Sequence, residues 1–180
     1  FVFLINCAGN NEKNNELSDQ IQFSPPEKQY TEAMLKFDNQ QYDLATEQFK
    51  YIERIYPLSN EAIQSQIMQG FIKYILLDYD SAIIHFSKII NKYPSLKNID
   101  YVYYMKAICF YEQISHEGLD GAFNDFALES LDQVIQRFPN SKYAKDSIQK
   151  KILVKSNIAA KHMTIARFYQ KEKKYTAALN

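Results

Sequence analysis

Side chains able to do covalent or metal chemistry are few in this sequence and poorly spaced for it. His85, His116 and His162 stand alone. None has the H-x-x-x-H, H-E-x-x-H or Cys/His spacing that aims two ligands at one ion. Four glycines cannot build a phosphate-cradling loop, and no G-x-S-x-G elbow raises a serine nucleophile. Cys109 lies inside the aromatic run IDYVYYMKAICFYEQI and is expected to be a small buried apolar side chain. Cys7 sits in a polar N-terminal stretch, so a Cys7–Cys109 disulfide is not expected. His85 adjoins Phe86 in a helical pattern and reads as a hydrogen-bonded or exposed helix histidine. Neither catalysis nor a bound metal or cofactor is expected.

Two other populations can do recognition chemistry. The chain holds 14 tyrosines, which combine an apolar ring with a hydroxyl that needs a partner when buried. Part of the run Tyr101, Tyr103, Tyr104, Phe110, Tyr111 must be core. Tyr30, Tyr74, Tyr101 and Tyr104 are candidates for a half-exposed groove that takes extended or hairpin peptides. The second population is charge. The chain is neutral overall, yet from Lys142 to Asn180 there are 10 basic residues against 2 acidic. This stretch is either the solvated face of a long helix or a docking surface for an acidic partner. It carries no signature of a nucleic-acid module, and no nucleic-acid partner is expected.

The elements that must position these residues repeat. YDLATEQFKYIERIYP (42–57) and YDSAIIHFSKIINKYP (79–94) match at Tyr, Ala, Phe, Ile, Tyr and Pro with a constant offset of 37. NDFALESLDQVIQRFP (124–139) holds Ala127, Leu131, Val134, Phe138 and Pro139 in the same relative places, with eight residues added upstream, in QISHEGLDGAF. Small residues Ala33, Gly70 and Ala107 precede the three repeat alanines, and Ala166, Tyr175 and Ala178 open a fourth copy. This is the pattern of the tetratricopeptide repeat (TPR): a small residue on helix A meets Ala on helix B, bulky residues fill the groove toward the next repeat, and Pro ends helix B. The fold class is all-α, a TPR superhelix of antiparallel helix pairs whose A helices line the concave face. Repeats are expected at about 26–59, 60–97, 98–140 and 141–180, the last incomplete. Ser24-Pro25-Pro26-Glu27 reads as a capping box and Ser59 and Asn140-Ser141 as helix starts. Ile148, Ile152, Ala159, Met163 and Ala166 mark one helix from Ser141 to about Gln170, about four turns longer than the other A helices. Half a repeat leaves apolar surface open, so the array is expected to continue past Asn180 and to fray from about Tyr169 if it does not.

FVFLINCAGNN is too short to span a membrane. Leu4-Ile5-Asn6-Cys7-Ala8 resembles the lipobox that ends bacterial lipoprotein signals at its Leu, Ile and Cys, and departs from it at Asn6. On that reading 1–6 is a signal remnant, Cys7 carries a covalent lipid, and 7–23 is a polar tether ahead of a TPR domain over 24–180.

With these features in order, the chain resembles the BamD family, TPR lipoproteins of the outer-membrane β-barrel assembly machinery. The resemblance is carried by Cys7 and its tether, Pro25-Pro26, Tyr56-Pro57, NIDYVYYMKA (98–107), RFPNSKYAKD (137–146) and the enlarged loop of the third repeat. It implies five repeats, attachment to the periplasmic face of the outer membrane through the lipid, and no enzymatic activity. It also implies a scaffold that docks a BamA-like barrel protein and other lipoproteins of the complex and engages unfolded outer-membrane proteins. Tyr56 falls in a region that the family uses for substrate. The docking candidates in the fourth repeat are Lys161, Arg167, Lys171, Lys173 and Lys174. Another periplasmic TPR adaptor would share the repeats without NIDYVYYMKA. A cytosolic co-chaperone would need a basic carboxylate clamp on its early A helices, where this chain has Glu27, Glu32 and Glu61.

Overall fold

The computed structural model describes residues 24–114 and 122–179. Among them the backbone forms α1 (Pro26–Asp38), α2 (Tyr42–Ile55), α3 (Asn60–Ile75), α4 (Tyr79–Lys92), α5 (Ile99–Glu112), α6 (Ala122–Arg137), α7 (Lys142–Lys171) and α8 (Tyr175–Leu179), with no strand. Each helix packs on the next one in the chain. In addition α1 touches α3, α3 touches α5 and α5 touches α7, whereas neither α2 and α4 nor α4 and α6 meet. The odd-numbered helices are therefore a continuous inner layer and the even-numbered ones splay apart outside it. That asymmetry curves the array, and α1, α3, α5 and α7 line its concave side, as the TPR reading requires.

The repeat residues explain the packing. Ala33, Ala45, Phe49 and Ile52 are buried with Ala62 and Ile72 of the following helix. Ala82, Phe86 and Ile89 are buried with Ile99, Val102, Met105 and Cys109 of α5. Leu131 and Val134 bridge Ala107 and Val154. The bulky positions of each B helix thus join one repeat to the next. Phe49 and Phe86 have no exposed surface, and burial of a phenylalanine contributes about 2–3 kcal/mol. At Gly70 the close contact is not with Ala82. A Cβ there would lie 2.8 Å from Cε1 of Phe86 and 3.1 Å from His85. Glycine is needed because the aromatic ring of the B helix rests directly on the A-helix backbone.

Helix ends follow two rules. Ser59 Oγ accepts from the Ala62 N–H at 3.0 Å, and Ser141 Oγ accepts from the Tyr143 N–H at 3.2 Å, capping α3 and α7. The capping box expected at Ser24 does not form. Pro25 occupies the N-cap position of α1 with no side-chain cap, since Pro26, at N1, has no N–H and already fixes the helical φ. The A helices α1, α3 and α7 close with one device: Gln40, Leu77 and Lys173 take φ of 60°, 61° and 59°. The following N–H reaches back to the carbonyl five residues earlier, as in Gln41 to Lys36, Asp78 to Lys73 and Lys174 to Tyr169. These are Schellman turns without glycine.

The eight residues added in the third repeat divide between two places. Nine residues separate α5 from α6, against three between α1 and α2, and α6 has 16 residues where α2 and α4 have 14. Much of that connection, residues 115–121, lies outside the described residues, as do the N-terminal stub, Cys7 and the tether. The 30-residue α7 begins at its Ser141 cap and matches the long helix read from the sequence. Its buried face is Ala144, Ser147 and Val154, whereas Ile148, Ile152 and Met163 of the apolar stripe are exposed.

Candidate functional site

The five tyrosine candidates fall into two groups, one packed in the first repeat and one on α3 and α5. Tyr30 and Tyr56 pack at the first repeat around Phe49 and Ile52. The Tyr30 ring is 5.7 Å from that of Phe49, and its hydroxyl pKa is raised, first by burial and then by the Glu61 carboxylate. Tyr56 closes α2, and its hydroxyl donates to the Ser24 carbonyl at 2.6 Å, tying the start of the array to the end of the first B helix.

Tyr74, Tyr101 and Tyr104 form the second group, on α3 and α5. Tyr74 stacks on Phe71 and contacts Tyr79. Tyr101 and Tyr104 flank Tyr143 of α7 at centroid distances of 5.5 and 4.9 Å. Burial pushes the Tyr101 hydroxyl up to about 12, with Tyr143 and Tyr74 adding to it. The Tyr104 hydroxyl is raised further, by burial first and then by donating to Asp146 Oδ2 at 2.6 Å. At the far end of the cluster Ser141 Oγ donates to Asp100 Oδ2 at 2.6 Å, while Asp100 Oδ1 accepts the Tyr101 N–H at 2.9 Å. Two hydroxyl–carboxylate bonds therefore fasten α5 to the first turns of α7 on either side of the Tyr143 ring.

This clamp shapes an open groove of about 450 Å³ lined by Gln64, Ile67 and Met68 of α3, Asn98, Asp100 and Tyr101 at the start of α5, and Ser141, Lys142 and Tyr143 at the start of α7. Aromatic and aliphatic walls stand beside two carboxamides, which can donate and accept at once. Such a surface suits an extended peptide: apolar side chains against the rings, main-chain amides on Gln64 and Asn98. Tyr101 is the sequence candidate that lines it, and Tyr104 braces it from behind through Tyr143. Gln64, Met68, Asn98, Asp100 and Tyr143 were not singled out from the sequence. Asn98, Asp100 and Tyr143 do lie in the segments NIDYVYYMKA and RFPNSKYAKD that carry the family resemblance, but their convergence with Gln64 and Met68 is visible only once the helix packing is known.

The basic candidates lie at the other end of α7. Lys161 is half-buried, and Arg167, Lys171, Lys173 and Lys174 are exposed, beside exposed Phe168 and Tyr175. Earlier in α7, Lys150 pairs with Asp146 at 3.5 Å and lies over Tyr111, and Lys151 pairs with Asp132 of α6, while Lys142, Lys145 and Lys155 have no ion pair among the described residues. The distal five have no ion-pair partner among the described residues. Their charge is thus open to another molecule, next to apolar rings.

His85 is held between α3 and α4 with Nε2 2.8 Å from the Gln66 carbonyl, and burial pushes its pKa down. Cys109 is a free, buried thiol pushed up to about 12, chiefly by desolvation. Among the described residues no group of His, Cys, Asp and Glu could hold a metal ion, and no helix is long and apolar enough to cross a membrane.

The family model described as YfiO, outer membrane lipoprotein, matches residues 23–180. Outer membrane protein assembly factor BamD of Rickettsia prowazekii is 35% identical over 151 residues, covering 84% of this chain and 60% of that protein. BamD of Caulobacter vibrioides is 33% identical over 173 residues, covering 96% and 56% respectively. BamD of Neisseria gonorrhoeae is 27% identical over 164 residues, covering 86% and 61%. The chain spans about 60% of the length of these relatives.

Proposed function

Because the chain belongs to the YfiO family of outer membrane lipoproteins, we propose that it is a non-enzymatic scaffold for assembling β-barrel proteins into the outer membrane. The observation that carries the proposal is the pairing of two unlike surfaces on one helical array. A concave aromatic–carboxamide groove lies between α3, α5 and α7, and a patch of unpaired cations lies at the end of α7. The groove holds unfolded outer-membrane polypeptide in extended form before it pairs into a sheet. Tyr101 contacts the peptide directly, and Tyr30 and Tyr74 extend the aromatic surface along the inner layer. Tyr104 and Tyr56 act as braces, since each spends its hydroxyl on a contact within the array.

Lys161, Arg167, Lys171, Lys173 and Lys174 dock an acidic surface of a BamA-like barrel protein, with other lipoproteins of the complex joining the same assembly. Cys7 carries the lipid that holds the scaffold at the periplasmic face of the outer membrane. Several acyl chains, at about 0.8 kcal/mol per buried CH₂, make a durable anchor. The relatives are named assembly factors, which supports scaffolding over the adaptor alternative. The test is purification of the full-length lipidated protein from membranes. A BamA-like barrel protein should come with it and should be lost at high salt or in a K171E/K173E/K174E variant. Its absence from the wild-type complex would refute the proposal.

A further inference from the structure

A second cavity adjoins the groove. It measures about 350 Å³ and is lined by Lys97, Ile99, Asp100, Arg137, Phe138 and Asn140, together with Ser141. Asp100 and Ser141 also line the groove, so their 2.6 Å hydrogen bond is the partition between the two spaces. The two sides differ in character. The groove side is aromatic and amide-bearing, with one cation, Lys142, lying over the Tyr143 ring. The far side holds two cations from separate elements, Lys97 in the α4–α5 connection and Arg137 at the end of α6, and neither has an ion-pair partner among the described residues. Arg137 is also pre-positioned: its guanidinium lies over the Tyr103 ring at 5.2 Å, a contact that orients the plane and leaves its edge N–H groups free to donate. The nearby carboxylate, Asp100, is already turned to Ser141 and the Tyr101 N–H. Ile99 and Phe138 supply an apolar wall beside exposed Lys97, Arg137 and Asn140.

We propose that Lys97 and Arg137, with Asn140, form a carboxylate-binding subsite for the peptide whose apolar side chains lie in the neighbouring groove. A bidentate guanidinium–carboxylate pair flanked by an ammonium and a carboxamide is the arrangement that planar carboxylates select. The carboxylate is either an Asp or Glu side chain or the free C-terminus of the peptide; both present the same two oxygens. The inference rests on the concave groove being a peptide site, and the test separates the two.

Four fluorescent ten-residue peptides with alternating aromatic and polar residues are titrated against the full-length protein by polarisation in low salt. One ends in a free acid with Gln at its single acidic position, one is amidated with Glu there, one has both carboxylates and one has neither. The carboxylate-bearing peptides should bind about tenfold tighter than the one lacking both, and whichever single-carboxylate peptide keeps the gain identifies the source. Arg137→Gln and Lys97→Gln should erase that gain, leave binding of the carboxylate-free peptide unchanged, and keep the helical circular-dichroism spectrum. Equal binding of all four peptides, or a gain that survives Arg137→Gln, overturns the subsite while the groove stands. No binding of any peptide overturns the groove and the subsite together.

Discussion

Replacing Gly70 with alanine isolates what the repeat architecture demands of a single position. In an exposed helix interior the change would stabilise by about 1 kcal/mol, because glycine loses the most backbone entropy. Here the new Cβ would stand 2.8 Å from Cε1 and 3.1 Å from Cζ of Phe86, and 3.1 Å from Cδ2 of His85. The Phe86 ring is fully enclosed between α3 and α5, so it has no empty space to enter. Forcing one methyl into a packed core costs about 1–3 kcal/mol. The balance is a net loss of about 0–2 kcal/mol, and a larger side chain makes it worse. Urea denaturation of the full-length protein followed by circular dichroism measures this directly. Gly70→Ala should lower the midpoint without changing the slope, and Gly70→Val should lower it further. Phe86→Leu in the Gly70→Ala background should cost less than Phe86→Leu alone, because the two sites are coupled. A Gly70→Ala variant that gains the full 1 kcal/mol would refute the close A–B contact.

Other perturbations test separate parts of the structure. Phe86→Ala empties a fully buried ring site and should cost about 3–5 kcal/mol in the same denaturation assay. Leu77→Gly relieves a non-glycine left-handed turn end whose side chain is largely exposed, and should raise stability by up to about 1 kcal/mol. The His85 pKa is pushed down by burial, so the unfolded chain binds the extra proton first. Stability should be at its full value above about pH 6.5, the ordinary histidine value, and should fall as pH drops below it, with His85→Gln showing a flatter profile between pH 7.5 and 5.5. The Cys109 thiol, pushed up to about 12 and enclosed, should resist iodoacetamide at pH 8 in the folded protein and react on unfolding, as mass spectrometry would show.

The three-fold register of Ala, aromatic and Pro made the helix pairs legible in the sequence, because each of those residues has one dominant packing role. The length of α7 was equally legible from the absence of Pro and Gly after Ser141. Helix ends were harder. Ser24 has the composition of a cap, yet Pro25 takes the position, and the closing turns at Gln40, Leu77 and Lys173 adopt a left-handed conformation without the glycine that announces one. The apolar stripe Ile148–Met163 gave the right helix, but exposed Ile148 and Ile152 show that periodicity alone does not say which face is buried. The groove was half legible. Tyr74, Tyr101 and Tyr104 do gather, whereas Tyr30 and Tyr56 belong to another core. Gln64, Asn98, Asp100 and Tyr143 become a site only when α3, α5 and α7 are brought side by side, at sequence separations that no local pattern encodes.

The most direct test of the proposed scaffold role is a photo-crosslink between the concave face and an unfolded outer-membrane polypeptide. A benzophenone side chain at Tyr101 of the full-length lipidated protein, irradiated in membranes during synthesis of an outer-membrane β-barrel protein, should yield an adduct with the unfolded barrel polypeptide. The same probe at exposed Leu44 or Ile84, on the outer helices, should yield none. An adduct from Leu44 or Ile84 but not from Tyr101 would contradict the assignment of the inner layer as the surface that receives substrate.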